Sequence, residues 1–225
     1  MWKPLLLLEA LMILRELGGQ NVVFSYTVYL FQLAGSTFDP FKCTILVGLT
    51  RLICTCIGAI LMDKLGRRPL FLGTVFICVL SLTTAGVAIM IGKGSYMSGL
   101  VALGSVLIYV ASYGSGVGPV PWTLLGELLP SPIRSMGSSL VTTGFSITVF
   151  GLSNIFPFLL NNLGLGITFI MFSVSNVLVG LIAYKFLPET KGKSLLELEN
   201  AFGSKSSEYK TDVSTAAGSA LITDV

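Results

Sequence analysis

Several ionisable and amide side chains sit where the surrounding sequence is apolar. Glu9, Arg15, Glu16, Gln20 and Asn21 fall in the stretch Leu5–Leu33, and Arg51 falls in Cys43–Met62. An ionised group at the centre of a bilayer costs about 3 kcal/mol even on a lenient insertion scale. Such residues therefore face a bundle interior or a water-filled cavity. Glu9, Glu16 and Gln20, spaced by seven and then four, share one helical face. Gly18 and Gly19 follow Glu16, and two adjacent glycines weaken a helix and predict a break there. Two readings fit: a polar-solute site beside the break, or a kink whose buried charges pair with one another. Arg51 either snorkels to the interface or faces a cavity.

The same inventory excludes most covalent chemistry. With no His in the chain a Ser–His dyad is impossible, and Asp39 and Asp63 lie in loops on opposite sides, so no intramembrane aspartyl pair forms. The expectation is not an enzyme. Cys43, Cys54, Cys56 and Cys78 lie in or beside apolar runs and read as small buried hydrophobes; without His or a second close Cys pair, no metal site is expected. No cofactor is expected either: Gly114, Gly116 and Gly118 mimic a dinucleotide loop in spacing, but no strand precedes them. They are followed by Pro119, Pro121 and Trp122. Both prolines lack an N–H and clash with the preceding turn, so this helix must bend or break around Gly118. The indole of Trp122 then offers an apolar platform to a ligand or to a neighbouring helix.

The elements that carry these residues are membrane helices. The 225 residues are 53% hydrophobic and 11% charged, with mean hydropathy +0.85, against roughly 25% charge in a soluble domain. Disorder, a nucleic-acid-binding basic domain and a disulfide scaffold are excluded. Six stretches approach the roughly 20 apolar residues a crossing needs: Leu5–Leu33, Cys43–Met62, Leu70–Ile91, Val101–Leu125, Ser138–Leu160 and Leu165–Leu187. Turn residues separate them at Ser36–Pro40, Asp63–Arg68, Gly92–Ser95, Pro130–Arg134 and Asn161–Gly164. By parity Lys3, Lys64, Arg67, Arg68, Arg134, Lys185, Lys191, Lys193, Lys205 and Lys210 share one side, against Lys42 and Lys93 on the other. Ten against two puts both termini in the cytoplasm. Residues 1–202 read as a six-helix bundle in the lipid bilayer, and residues 203–225 as a disordered cytoplasmic tail. The spans divide three plus three, with the interrupted span first in each set. That is an inverted repeat in topology and points to a transporter site at the breaks.

Local motifs carry a resemblance. The loop Asp63–Pro69 resembles the D-x-x-G-R-R loop of the major facilitator superfamily. Gly116–Trp122 resembles the G-x-G-P-x-P-W of its sugar porters, the glucose-transporter family, and Glu127–Ser139 resembles their E-x-x-P-x-x-x-R loop. Pro188–Glu199 resembles the P-E-T-K-G segment after their last span, and Gly18–Tyr26 the S-G-x-N-x-x-x-Y of their seventh. Among sugar porters the sequence is similar to insect facilitated trehalose transporters.

The resemblance covers about Leu5 to Glu199 and implies the C-terminal six-span half of a major facilitator fold. It implies a hexose or disaccharide carried by alternating access, contacts to a neutral polyol at Asn21 and Trp122, and a pathway completed by an N-terminal half or a second chain. The family's Gln-Gln is Arg15-Glu16 here; Gln20, Thr142, Thr143 and Ser146 are local substitutes, and Ile147 stands where the family often has Asn. Paired with each other or with Arg51 and Glu9, Arg15 and Glu16 leave a near-neutral site that suits a sugar; unpaired cations suit an anion. The resemblance further implies a gating network of Asp63, Arg67, Arg68, Glu127, Arg134 and Glu189 at the cytoplasmic face, and a plasma-membrane location. The alternative is a truncated, non-transporting relative acting as a membrane sensor or partner.

Overall fold

A computed structural model describes residues 2–26, 40–92, 96–129, 134–187, 189 and 191. These residues form helices: α1 (Trp2–Leu17), α2 (Gln20–Ser25), α3 (Pro40–Leu65), α4 (Arg67–Gly92), α5 (Tyr96–Ser112), a π-turn (Tyr113–Val117), α6 (Pro119–Leu128), α7 (Arg134–Leu163) and α8 (Leu165–Phe186). Among the described residues five helical stretches are long and apolar enough to cross a membrane, α5 to α6 counting as one through the π-turn. The first expected span holds α1 and α2; its remainder and the tail at 203–225 lie outside the described residues.

Connections are shorter than the turn signals predict. Asp63–Leu65 and Asn161–Leu163 are helical, leaving Gly66 (φ 96°) and Gly164 (φ 79°) as the linking residues. A single left-handed glycine ends a helix and lets the next begin immediately. Pro40 likewise belongs to α3, so Arg51 lies about 16 Å along that helix. That is mid-span in a helix of 26 residues.

The core sits on α4, which packs against both α5 and α8. Phe71, Cys78 and Leu82 of α4, Tyr109 of α5, and Val179 and Ala183 of α8 are fully buried. Gly86 and Gly166 let α4 and α8 touch: a Cβ on Gly86 would lie 2.8 Å from the Gly166 carbonyl oxygen. Small residues permit such contact where lipid offers no hydrophobic drive. The Ser173 hydroxyl adds a bond to the Val79 carbonyl at 3.1 Å. Elsewhere α1 packs on α7 and α8, and α3 on α5 and the π-turn. Ile45, Leu52 and Ile60 of α3 and Ile147 and Phe150 of α7 are exposed, as lipid-facing or bundle-facing apolar surface would be. The cysteines are free but not uniformly buried. Cys43 and Cys78 are inside, Cys54 is partly covered, and Cys56 is exposed on an apolar helix, because hydrophobic sequence does not distinguish core from lipid.

Candidate functional site

The first break forms where the glycines predict it. α1 stops at Leu17, Gly19 takes φ 83°, and α2 restarts at Gln20. A Cβ on Gly19 would collide with the Phe172 ring, and one on Gly18 would lie 2.7 Å from Asn176 Nδ2. The break therefore needs both left-handed backbone and room against α8. It frees the Gly18 carbonyl, which accepts from the Tyr109 hydroxyl at 2.9 Å and from Asn176 Nδ2 at 3.5 Å.

The second break is a π-turn. Pro119 and Pro121 cannot donate into the preceding turn, and the Gly118 N–H reaches back five residues to the Tyr113 carbonyl at 2.8 Å. The prolines occupy the first turn of α6, where missing donors cost nothing. The Gly118 carbonyl accepts from Arg15 Nη1 at 2.8 Å. Each interrupted helix thus supplies a donor to a carbonyl at the other's break.

Between the breaks lies a cleft of about 260 Å³. Arg15, Glu16, Gln20, Asn21, Arg51, Tyr113, Gly118, Pro119, Trp122 and Phe145 are on its walls. Arg15 and Glu16, 2% and 1% exposed, form an ion pair at 3.1 Å. Glu16 Oε1 also receives the Tyr113 hydroxyl at 3.4 Å, and Oε2 receives Asn21 Nδ2 at 2.6 Å. Both carboxylate oxygens are engaged. The Arg15 guanidinium lies within 6 Å of the Tyr113, Trp122 and Phe145 rings, and Trp122 meets Phe145 edge-on at 5.3 Å. Gln20 is 2% exposed, and neither end of its amide has a partner among the described residues; nor does Arg15 Nε.

The other sequence candidates scatter. Glu9 shares the face of Glu16 but lies about 10 Å further along the axis, with its carboxylate against Gly144 of α7. Thr142, Thr143 and Ser146 line a separate depression with Ile147 and Phe150, and their hydroxyls bond carbonyls one turn back.

At the end of the bundle where α4 begins, Arg67 holds Glu127 through Nη2 at 2.8 Å and Nε at 3.2 Å. The Glu189 carboxylate accepts the Arg67 and Arg68 backbone N–H groups at 3.1 and 3.2 Å, capping the N-terminus of α4. Such a carboxylate satisfies orphan donors and complements the helix dipole. Arg68 reaches the Tyr184 carbonyl at 2.6 Å. Asp63 is exposed and 3.9 Å from Arg67. Arg134 bonds the Leu129 carbonyl at 3.2 Å and meets no carboxylate among the described residues; its Nη2 and Glu127 Oε2 are buried and without partners there.

A family profile described as sugar (and other) transporter matches residues 1–202. The chain belongs to this sugar transporter family. It is 37% identical over 200 residues to the facilitated trehalose transporter Tret1 of Aedes aegypti, covering 88% of this chain and 25% of that protein. It is 39% identical to Tret1 of Polypedilum vanderplanki, covering 88% and 40%. The chain thus spans a quarter to two-fifths of the curated relatives it matches. Among solved structures it resembles the proton:xylose symporter XylE bound to 6-bromo-6-deoxy-D-glucose, at TM-score 0.78 and 31% identity, covering 88% of this chain and 42% of that one. It resembles the inward-open form of XylE from E. coli at TM-score 0.77 and 30% identity. The fold is part of the major facilitator fold.

Within this family frame, sequence reasoning missed Tyr109, Tyr113, Phe145 and Asn176. Their signal was present: Tyr109 and Tyr113 are one turn apart just before the glycine triplet, and Asn176 is a lone amide in the middle of the last span.

Proposed function

We propose that this chain forms one wall of an alternating-access carrier for a sugar-like solute, a hexose or disaccharide. The observation that carries this is Gln20, whose buried amide has no partner among the described residues and faces a cleft whose Arg15–Glu16 pair is internally neutralised. An amide both donates and accepts, as a sugar hydroxyl does. Trp122 and Phe145 add apolar faces for the C–H side of a ring. Tret1 of Aedes aegypti is named for trehalose, and the XylE structure holds a glucose analogue; both favour this class.

Residues 1–202 act as one bundle in this reading, with 203–225 as a cytoplasmic tail and the protein in the plasma membrane. The packing pattern favours a three-plus-three inverted repeat. Exchanging the first and second sets turns the α1–α7 contact into α5–α3, the α1–α8 contact into α5–α4, and leaves α4–α8 unchanged; all of these contacts occur. A second six-span bundle, in the same polypeptide or another, supplies the facing wall. Asp63, Arg67, Arg68, Glu127, Arg134 and Glu189 hold one conformation closed at the cytoplasmic side.

Tryptophan fluorescence of the purified protein, titrated with hexoses and disaccharides, tests the binding half of this reading. Saturable quenching is expected, and Asn21→Ala and Gln20→Leu should each weaken it by about 1–3 kcal/mol. Quenching by lactate with none by any sugar would overturn it.

A further inference from the structure

Arg51 is the one guanidinium on the cleft wall that lacks a carboxylate among the described residues. Arg15 is matched by Glu16, whose two oxygens already receive three donors. Arg51 instead lies with its guanidinium carbon 4.5 Å from the Phe24 ring centre. Stacking on a ring face uses none of its five N–H groups, which lie in the guanidinium plane. Its place about 16 Å along α3 puts it beyond easy snorkelling reach of the helix start. A mid-span cation is costly unless something answers it.

The rest of the cleft is also rich in donors. Arg15 Nε and the Gln20 amide nitrogen are buried and unspent, against one unspent buried acceptor, Gln20 Oε1. With Arg15 and Glu16 cancelling, the wall carries one net positive charge. Its size, about 260 Å³, falls just below the range of roughly 300–1,000 Å³ common for ligand pockets, so this wall suits one sugar ring.

We propose that the solute is a monosaccharide bearing one carboxylate, a sugar acid, with Arg51 as the carboxylate subsite and Gln20 as a hydroxyl contact. This rests on the sugar-carrier reading above and narrows it. Trp122 and Phe145 take the apolar face of the ring, and Arg51 turns a uronate or aldonate into a better ligand than its neutral parent. Charge-assisted hydrogen bonds are about twice as strong as neutral ones, and desolvation beside Phe24 favours a bidentate pair.

Equilibrium binding of D-glucuronate, D-glucose and lactate to the purified full chain tests this. D-Glucuronate should bind at least about tenfold more tightly than D-glucose, a margin worth about 1.4 kcal/mol. Arg51→Gln should reduce the ratio to within about threefold, and Arg51→Lys, which keeps the charge but loses the planar fork, should retain only part of it. Equal binding of glucose and glucuronate by the wild type would overturn the sugar-acid assignment and leave the sugar reading standing. So would a preference that survives Arg51→Gln, since the carboxylate would then be held elsewhere. Lactate binding with neither sugar bound would overturn both.

Discussion

The two helix breaks do the same job by different means. At Gly18–Gly19 the backbone turns left-handed at one residue, and α8 fills the space on which any Cβ would stand. At Gly118 the backbone stays right-handed (φ −67°, ψ −65°), and the interruption comes from a widened turn ahead of two prolines. The first break is a conformational requirement of glycine; the second is a hydrogen-bond deficit created by proline. They are cross-linked, since Arg15 closes the second and Tyr109 closes the first. One link carries a charge and the other is neutral, and that difference ranks their consequences.

The largest effect belongs to Arg15. Arg15→Leu removes the donor on the Gly118 carbonyl and strands Glu16 as an uncompensated buried anion. Breaking a buried pair by deleting one partner costs about 3–5 kcal/mol. A large fall in the unfolding midpoint of the purified protein is expected, and Arg15→Leu/Glu16→Leu should recover part of it. A double variant no more stable than Arg15→Leu would show that the link to Gly118, and not the charge, dominates.

Matched glycine substitutions separate the two mechanisms directly. Gly19→Ala must put a side chain at positive φ and against Phe172, with backbone strain alone costing about 1–3 kcal/mol. Gly118→Ala keeps ordinary helical backbone and meets the Tyr113 carbonyl oxygen at 3.0 Å and its ring at 3.1 Å, so only the overpacking cost of about 1–3 kcal/mol applies, with no backbone strain added. Thermal unfolding of the two variants should rank Gly19→Ala as the more damaging. The reverse order would mean that the π-turn tolerates less than the left-handed turn.

The sequence made the two breaks legible because glycine pairs and prolines act locally. It made the spans legible because lipid demands unbroken apolar runs. What joined the breaks was not legible. Arg15 and Gly118 are 103 positions apart, Tyr109 and Gly18 are 91, and nothing in periodicity pairs them. Helical phase placed Glu9 with Glu16, but axial distance separates them and Gly144 receives Glu9. Thr142, Thr143 and Ser146 looked like cleft residues because they are polar; their hydroxyls are absorbed by their own helix. Among the charges at the helix ends, Arg67, Glu127 and Glu189 converge while Arg134 turns to a carbonyl, a choice that side-chain geometry makes and charge pattern does not.

The smallest effect belongs to the neutral link. Tyr109→Phe removes the 2.9 Å bond to the Gly18 carbonyl. Losing a buried neutral hydrogen bond with an acceptor stranded costs about 1–3 kcal/mol, but Gly18 keeps a second donor in Asn176 Nδ2 at 3.5 Å. That amide is also anchored to the Phe172 carbonyl at 2.8 Å, so it is already positioned to take more of the load. The single change should therefore fall near the low end, about 1 kcal/mol. Asn176→Leu alone leaves Tyr109 in place. Removing both leaves the carbonyl of a left-handed break buried with no donor, so the double variant should lose more than the sum of the singles by at least about 0.5 kcal/mol, the scale at which contacting residues couple. Unfolding midpoints of the four proteins measure this. Strict additivity would mean that the two donors do not share the Gly18 carbonyl, and the first break would then be held by its backbone and by Phe172 packing alone.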